Sequence, residues 1–133
     1  MSQDEKPRLD PELVEEFVRI SHADFDRVKE MLEAEPGLLN ASWDWGAGDF
    51  ETGLGAAAHM GRTEIAEYLL SKGAPMDIFA AVVTGRIELV RAFIADNPDV
   101  VHAKGAHGIP LIVHAKQGGQ AEVVELLKSH EVE

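Results

Sequence analysis

One stretch in the middle of the chain, TGLGAAAHMGRTEIAEYLLSKGA from Thr52 to Ala74, constrains the fold more than any other. It reads as two short helices set back to back. The first is alanine-rich, with Leu54, Ala56, Ala57 and Ala58, and Gly61 breaks it. The second carries Ile65, Ala66, Leu69 and Leu70 as an apolar stripe at helical spacing. Gly73 then stops it, as a glycine past a helix C-terminus does. Neither helix is long enough to bury its apolar side alone, so the unit needs neighbours of its own kind.

The neighbours are present. Asp10-Pro11 starts a helix running to about Ser21, because Asp caps free N–H groups and Pro fits the first turn. Leu13, Val14, Phe17 and Ile20 form its apolar side. Asp24 caps a second helix with Phe25, Val28, Met31 and Leu32, which Glu35-Pro36-Gly37 ends. Residues 38–51 read as a polar loop. After the central stretch, Asp77 caps Ile78, Phe79, Ala81 and Val82, and Gly85 breaks the helix. Ile87, Leu89, Val90, Phe93 and Ile94 follow, stopped by Asn97-Pro98. A second loop over 99–109 leads to Leu111, Ile112, Val113 and Ala115, then Gly118-Gly119, then Val123, Val124, Leu126 and Leu127. That makes four helix pairs. Aligned on Ala23, Gly61, Gly85 and Gly118, they are spaced by 38, 24 and 33 residues.

A period near 33 built from two helices and a turn is the ankyrin period. The chain resembles ankyrin-repeat proteins of the divergent, bacterial type. Thr52, Leu54, Ala57, Ala58, Gly61, Leu69, Leu70, Gly73 and Ala74 match the family pattern in place. Pro110, Leu111, Ala115, Gly118, Leu126 and Leu127 match it in the last unit, and Ala81, Gly85, Val90 and Ile94 in the third. Gly53 and Gly55 depart from it, standing where the family has Pro and His. The expected fold is all-α: a helical repeat solenoid of about four helix-turn-helix units, the third lacking its finger. A single domain over 1–133 follows, with units of about 11–43, 44–74, 75–104 and 105–130 and frayed ends at 1–9 and 131–133. Each unit should touch only its neighbours, giving an elongated array with fingers near 43–51 and 101–109 and a gap between them.

Composition narrows the function. The net charge is −12 and there is no cysteine, which excludes a disulfide framework or a thiolate site. Residues 1–36 carry 11 acidic and 5 basic side chains. Phosphate binding needs clustered Lys and Arg, so neither nucleic acid nor an anionic membrane is an expected partner. The polar N-terminus shows no signal peptide, and no apolar run approaches a membrane span of about 20 residues. A cytoplasmic monomer is the expectation.

No catalytic constellation stands out, and the chain does not read as an enzyme. Asp44, Asp49 and Glu51 lie among Trp43, Trp45 and Phe50, but acid–base work needs a desolvated, rigid carboxyl, which an exposed finger does not offer. The six histidines are His22, His59, His102, His107, His114 and His130. No pair has the tight helical spacing of a zinc site, so no metal ligand or cofactor is assigned. His102 and His107 can meet in one finger; His114 reads as packed.

The resemblance implies a protein-interaction module whose concave side is made of finger tips and exposed positions of first helices. On the helices these are His59, Met60, Val83, Thr84, Val113, Lys116 and Gln117, with Val18, Ser21, His22, Ala56 and Ala80. From the fingers come Trp43, Trp45, Asp49, Phe50 and His107. One tryptophan should pack under its loop and the other anchor an interface, as Trp does at hot spots. Two alternatives stand beside this. One is a small-ligand or metal site in the finger gap, lined by Trp45, Asp49, His59 and His107. The other is a structural scaffold inside a larger assembly.

Overall fold

The computed structural model describes residues 7–130. Among them are eight α-helices: α1 Pro11–Ile20, α2 Phe25–Ala34, α3 Gly53–His59, α4 Thr63–Ser71, α5 Ile78–Val83, α6 Ile87–Asp96, α7 Leu111–Gln117 and α8 Ala121–His130. The one sheet among the described residues is a hairpin of β1 Ser42–Asp44 and β2 Phe50–Thr52. Short 3-10 turns follow Pro36 and Pro98, where the sequence read only loop, and another spans Ala106–Gly108. No described helix is long and apolar enough to cross a membrane. The fraying expected at 1–6 and 131–133 lies outside the described residues. Leu9, expected to fray, instead packs against the core.

Local chemistry starts the helices as the sequence indicates. The carboxylates of Asp10, Asp24 and Asp77 accept from the N–H groups of Glu12, Arg27 and Ala80, and the Thr52 hydroxyl accepts from Gly55. A side-chain cap of this kind is worth about 1 kcal/mol. The pairs also share a turn. Gly61, Gly85 and Gly119 have φ of +71°, +73° and +69°, the left-handed region that glycine enters freely. At the same turns the N–H groups of Arg62, Arg86 and Gln120 donate to the carbonyls of Ala57, Ala81 and Ala115. Gly119, rather than Gly118, is therefore the counterpart of Gly61 and Gly85, which corrects the last spacing to 34 residues.

The residue after each of these glycines ties one pair to the one before it. Arg62 Nε donates to the His22 carbonyl (2.9 Å). The Arg86 guanidinium grips Glu67 (2.9 and 3.1 Å), and Gln120 Nε2 donates to the Val83 carbonyl (3.0 Å). Neither Arg62 nor Arg86, which stand at the cap positions of α4 and α6, makes a side-chain capping bond.

Helix α3 packs on α1 and α5, and α7 on α5. Ala56, Ala57, Ala58, Ala80 and Ala81 are wholly buried there, small enough to let the helices close up. Phe17, Leu38, Leu69, Leu111 and Leu127 are buried as fully and fill the larger spaces.

The expectation that each pair touches only its neighbours fails at one place. Helix α3 also contacts α7 and the Ala106–Gly108 turn. A Cβ on Gly61, after α3, would collide with the Gln117 carbonyl at the end of α7. Helix α5, between them, has only six residues, and no hairpin precedes it. With that spacer short, the second and fourth pairs meet.

Candidate functional site

The same shortening closes the gap between the fingers. Strand alternation turns Phe50 outward and Glu51 inward. Phe50 is 59% exposed and Glu51 only 2%, which inverts the usual order of apolar inside and charged outside. The sequence reading of an exposed, solvated finger is therefore wrong for Glu51: its carboxylate is desolvated and held.

Three histidines from separate elements converge on that carboxylate. His22, just past α1, places Nε2 3.4 Å from Glu51 Oε1. His107, in the second finger, places Nε2 3.4 Å from the same oxygen. His59, the last residue of α3, places Nε2 2.8 Å from Oε2. Trp45 Nε1 donates to Oε1 (2.8 Å). His59 stacks edge-on against both His22 and His107, with ring centroids 5.0 and 5.3 Å apart.

Further contacts hold the rings. His22 Nδ1 lies 3.0 Å from each of the Val18 and Arg19 carbonyl oxygens. Asp49 crosses from the first finger to the second: Oδ1 accepts from the His107 backbone N–H (2.8 Å), and Oδ2 lies 2.6 Å from His107 Nδ1. His107 sits at φ 59°, a left-handed conformation uncommon for a residue with a side chain. The double contact with Asp49 holds it there.

Burial opposes ionisation of Glu51 and is the largest single influence on it. The close approach of His22 and His59 and the Trp45 N–H outweigh that penalty, so the carboxyl stays well below the usual range. His22 is raised, mainly through its contact with Glu51, with burial acting against it. Asp49 is lowered, first by the His107 backbone N–H and then by the His107 ring. Among the described residues, the ligand atoms of His22, Glu51, His59 and His107 all lie within 4.8 Å of one another, a grouping able to hold a metal ion.

Several site expectations change. His59, expected on an exposed helix side, is only 8% exposed; Val83, Val18, Ser21, Ala56 and Ala80 are buried completely. The first helices are short and tightly apposed, and the fingers fold over His59, so these side chains cannot face a partner. Thr84 is half-buried and bonds the Ala80 carbonyl, and Val113 is also half-buried. Lys116, Gln117 and Met60 are exposed. Trp43 packs partly against the core, whereas Trp45 is 37% exposed. His102 is exposed and takes no part in the cluster. His114 is buried beside Phe79, with Nδ1 3.0 Å from the Pro110 carbonyl oxygen, and burial lowers its pKa.

The expected set of Trp45, Asp49, His59 and His107 does come together. Sequence reasoning missed Glu51 as its centre and His22 as a member. The alternation of Phe50, Glu51 and Thr52 ahead of a capped helix was the available clue.

Short helix pairs, joined by left-handed glycine turns and cross-linked from pair to pair, define a helical-repeat protein. Within that class, the Ankyrin repeat family model matches residues 51–81, from Glu51 into α5, which supports an ankyrin-type repeat there. No curated protein matches the sequence. Ankyrin repeats are generally protein-interaction modules.

Proposed function

We propose that the chain is a protein-binding module, a short ankyrin solenoid of four units over 11–43, 44–74, 75–104 and 105–130. Its contact surface is the first finger and the adjoining ends of α3 and α7. The observation that carries this is the distribution of exposed apolar bulk. Among the described residues, the large hydrophobic side chains left exposed are Trp45 (37%), Phe50 (59%) and Met60 (38%). Two are on one hairpin and the third lies just past the end of α3. Asp49, His107, Lys116 and Gln117 flank them, the last two beside Met60 because the α3 turn abuts Gln117. Aromatic and methionine side chains with a polar margin are the composition of interface cores. The exposed sides of the second helices, with Glu64, Glu67, Glu88, Glu122 and Glu125, are ordinary solvated surface.

Trp45 is a poor test residue, since its indole N–H holds Glu51. Phe50→Asp and Met60→Glu are cleaner, because both side chains face solvent. Immobilised wild-type chain should retain a protein partner that the double variant loses, with its melting temperature unchanged. Glu67→Lys on α4 should retain it. Equal capture by the double variant, or loss on Glu67→Lys alone, would move the surface elsewhere.

A further inference from the structure

Trp45 donates a hydrogen bond to Glu51 Oε1, but the surrounding residues leave the other oxygen of the buried carboxylate unmet. Glu51 Oε2 and His59 Nε2 are 2.8 Å apart, yet they are not aligned as a hydrogen bond, and among the described residues neither atom has a partner. His22 Nδ1 faces backbone carbonyls, which only accept, so that nitrogen carries its proton. On the neutral ring, Nε2 then presents a lone pair, and it faces a carboxylate oxygen that also only accepts. His107 repeats the arrangement, with Nδ1 on the Asp49 carboxylate and Nε2 toward Glu51.

A positive charge among these atoms would satisfy the facing lone pairs. Protons would meet the demand only by crowding positive charge among closely packed rings around Glu51 and Asp49, against its mutual repulsion. A single divalent ion meets it with all three rings neutral. Two of the separations agree. Zinc–ligand bonds of about 2.0–2.1 Å place the ligands of a tetrahedral site about 3.4 Å apart. The separations from Glu51 Oε1 to His22 Nε2 and His107 Nε2 are both 3.4 Å. The supporting contacts also agree: metal-bound histidines hand their other N–H to a carbonyl or carboxylate. Three imidazoles and one carboxylate suit zinc and its first-row neighbours, and do not suit magnesium or calcium. The His22 and His107 side chains are 22% and 32% exposed and leave a way in from solvent.

We propose that His22, Glu51, His59 and His107 form a mononuclear site for a divalent transition-metal ion, zinc foremost. Asp49 and Trp45 are its positioning residues. The ion joins α1, the first finger, α3 and the second finger. Because the unfolded chain lacks this arrangement, metal binding stabilises the fold. The site shares Trp45, Asp49 and His107 with the proposed protein-binding surface but not Phe50, which faces solvent, so Phe50→Asp separates the two: it should bind zinc like the wild type whatever it does to a partner.

The test uses the full chain without an affinity tag, stripped with chelator and titrated calorimetrically with zinc chloride. The expected result is one zinc per chain and a raised melting temperature, with magnesium giving neither. Cobalt should bind at the same stoichiometry and show the visible absorption of a tetrahedral nitrogen–oxygen site. His107→Ala, on an exposed finger, should fold and lose most of the affinity. Asp49→Asn should lose about 10–100-fold, as outer partners of metal ligands do. His102→Ala should bind normally. No saturable zinc binding by the wild type would overturn the proposal. So would zinc binding that survives His107→Ala unchanged, or that His102→Ala weakens as much.

Discussion

Glu51 is the residue on which the candidate site depends, and it breaks the rule by which sequences are read. A strand that turns Phe outward and Glu inward contradicts binary patterning, and such violations concentrate where function overrides stability. The residue types of the site were legible in the sequence. Their convergence was not, because His22, Glu51, His59 and His107 come from four separate segments and share no local spacing. The charge state of the cluster gives a pH signature in metal-free protein. The contact raises the His22 pKa above its ordinary 6.5, so its stabilisation is complete below that value and is lost as pH rises through the raised one. Glu51 is depressed, so its contribution is complete above its ordinary 4.5 and is lost progressively as pH falls below that value. His114, lowered by burial, acts in another window, adding stability as pH rises toward 6.5. With chelator present, the melting temperature should fall as pH rises above 6.5. Glu51→Gln should remove that fall; an identical alkaline decline in the variant would assign it to another group.

At the scale of elements, the sequence was read most accurately where periodicity and capping agree. The eight helices, the Asp caps and the glycine turns all follow from local chemistry. The 3-10 turns after Pro36 and Pro98 were hidden, since a single tight turn leaves no apolar period to detect. Gly53 shows how packing can explain a departure from the family pattern. A Cβ there would lie 2.8 Å from Phe17 Cε2 and 2.9 Å from Ser21 Oγ, both on buried residues of the α1 segment. The missing side chain lets α3 approach α1 and bring His59 toward His22. Gly53→Ala should therefore destabilise by about 1–3 kcal/mol, as overpacking does, measured from the urea midpoint. A stabilised variant would mean that α1 gives way freely and that the glycine is not needed for the approach.

Over the whole molecule, repetition made the class of fold legible, and one irregularity in the repetition decides the site. The short α5 and the absence of a hairpin before it were visible as a spacing of 24 residues between Gly61 and Gly85. The consequence was not, because nearest-neighbour stacking does not foresee that dropping one finger lets the fingers on either side meet. Asp49 and His107 make that contact across 58 positions of sequence. Both proposed functions rest on it: it closes the fingers over Glu51 and leaves Trp45, Phe50 and Met60 outside. Proximity of the histidine rings measures the closure directly. In a nuclear Overhauser spectrum of the folded chain, assigned with single His→Gln variants, the ring protons of His59 should show cross-peaks to those of both His22 and His107. The centroids are 5.0 and 5.3 Å apart. Cross-peaks between His59 and His22 alone, with none to His107, would mean that the fingers stand apart, contradicting the closed arrangement.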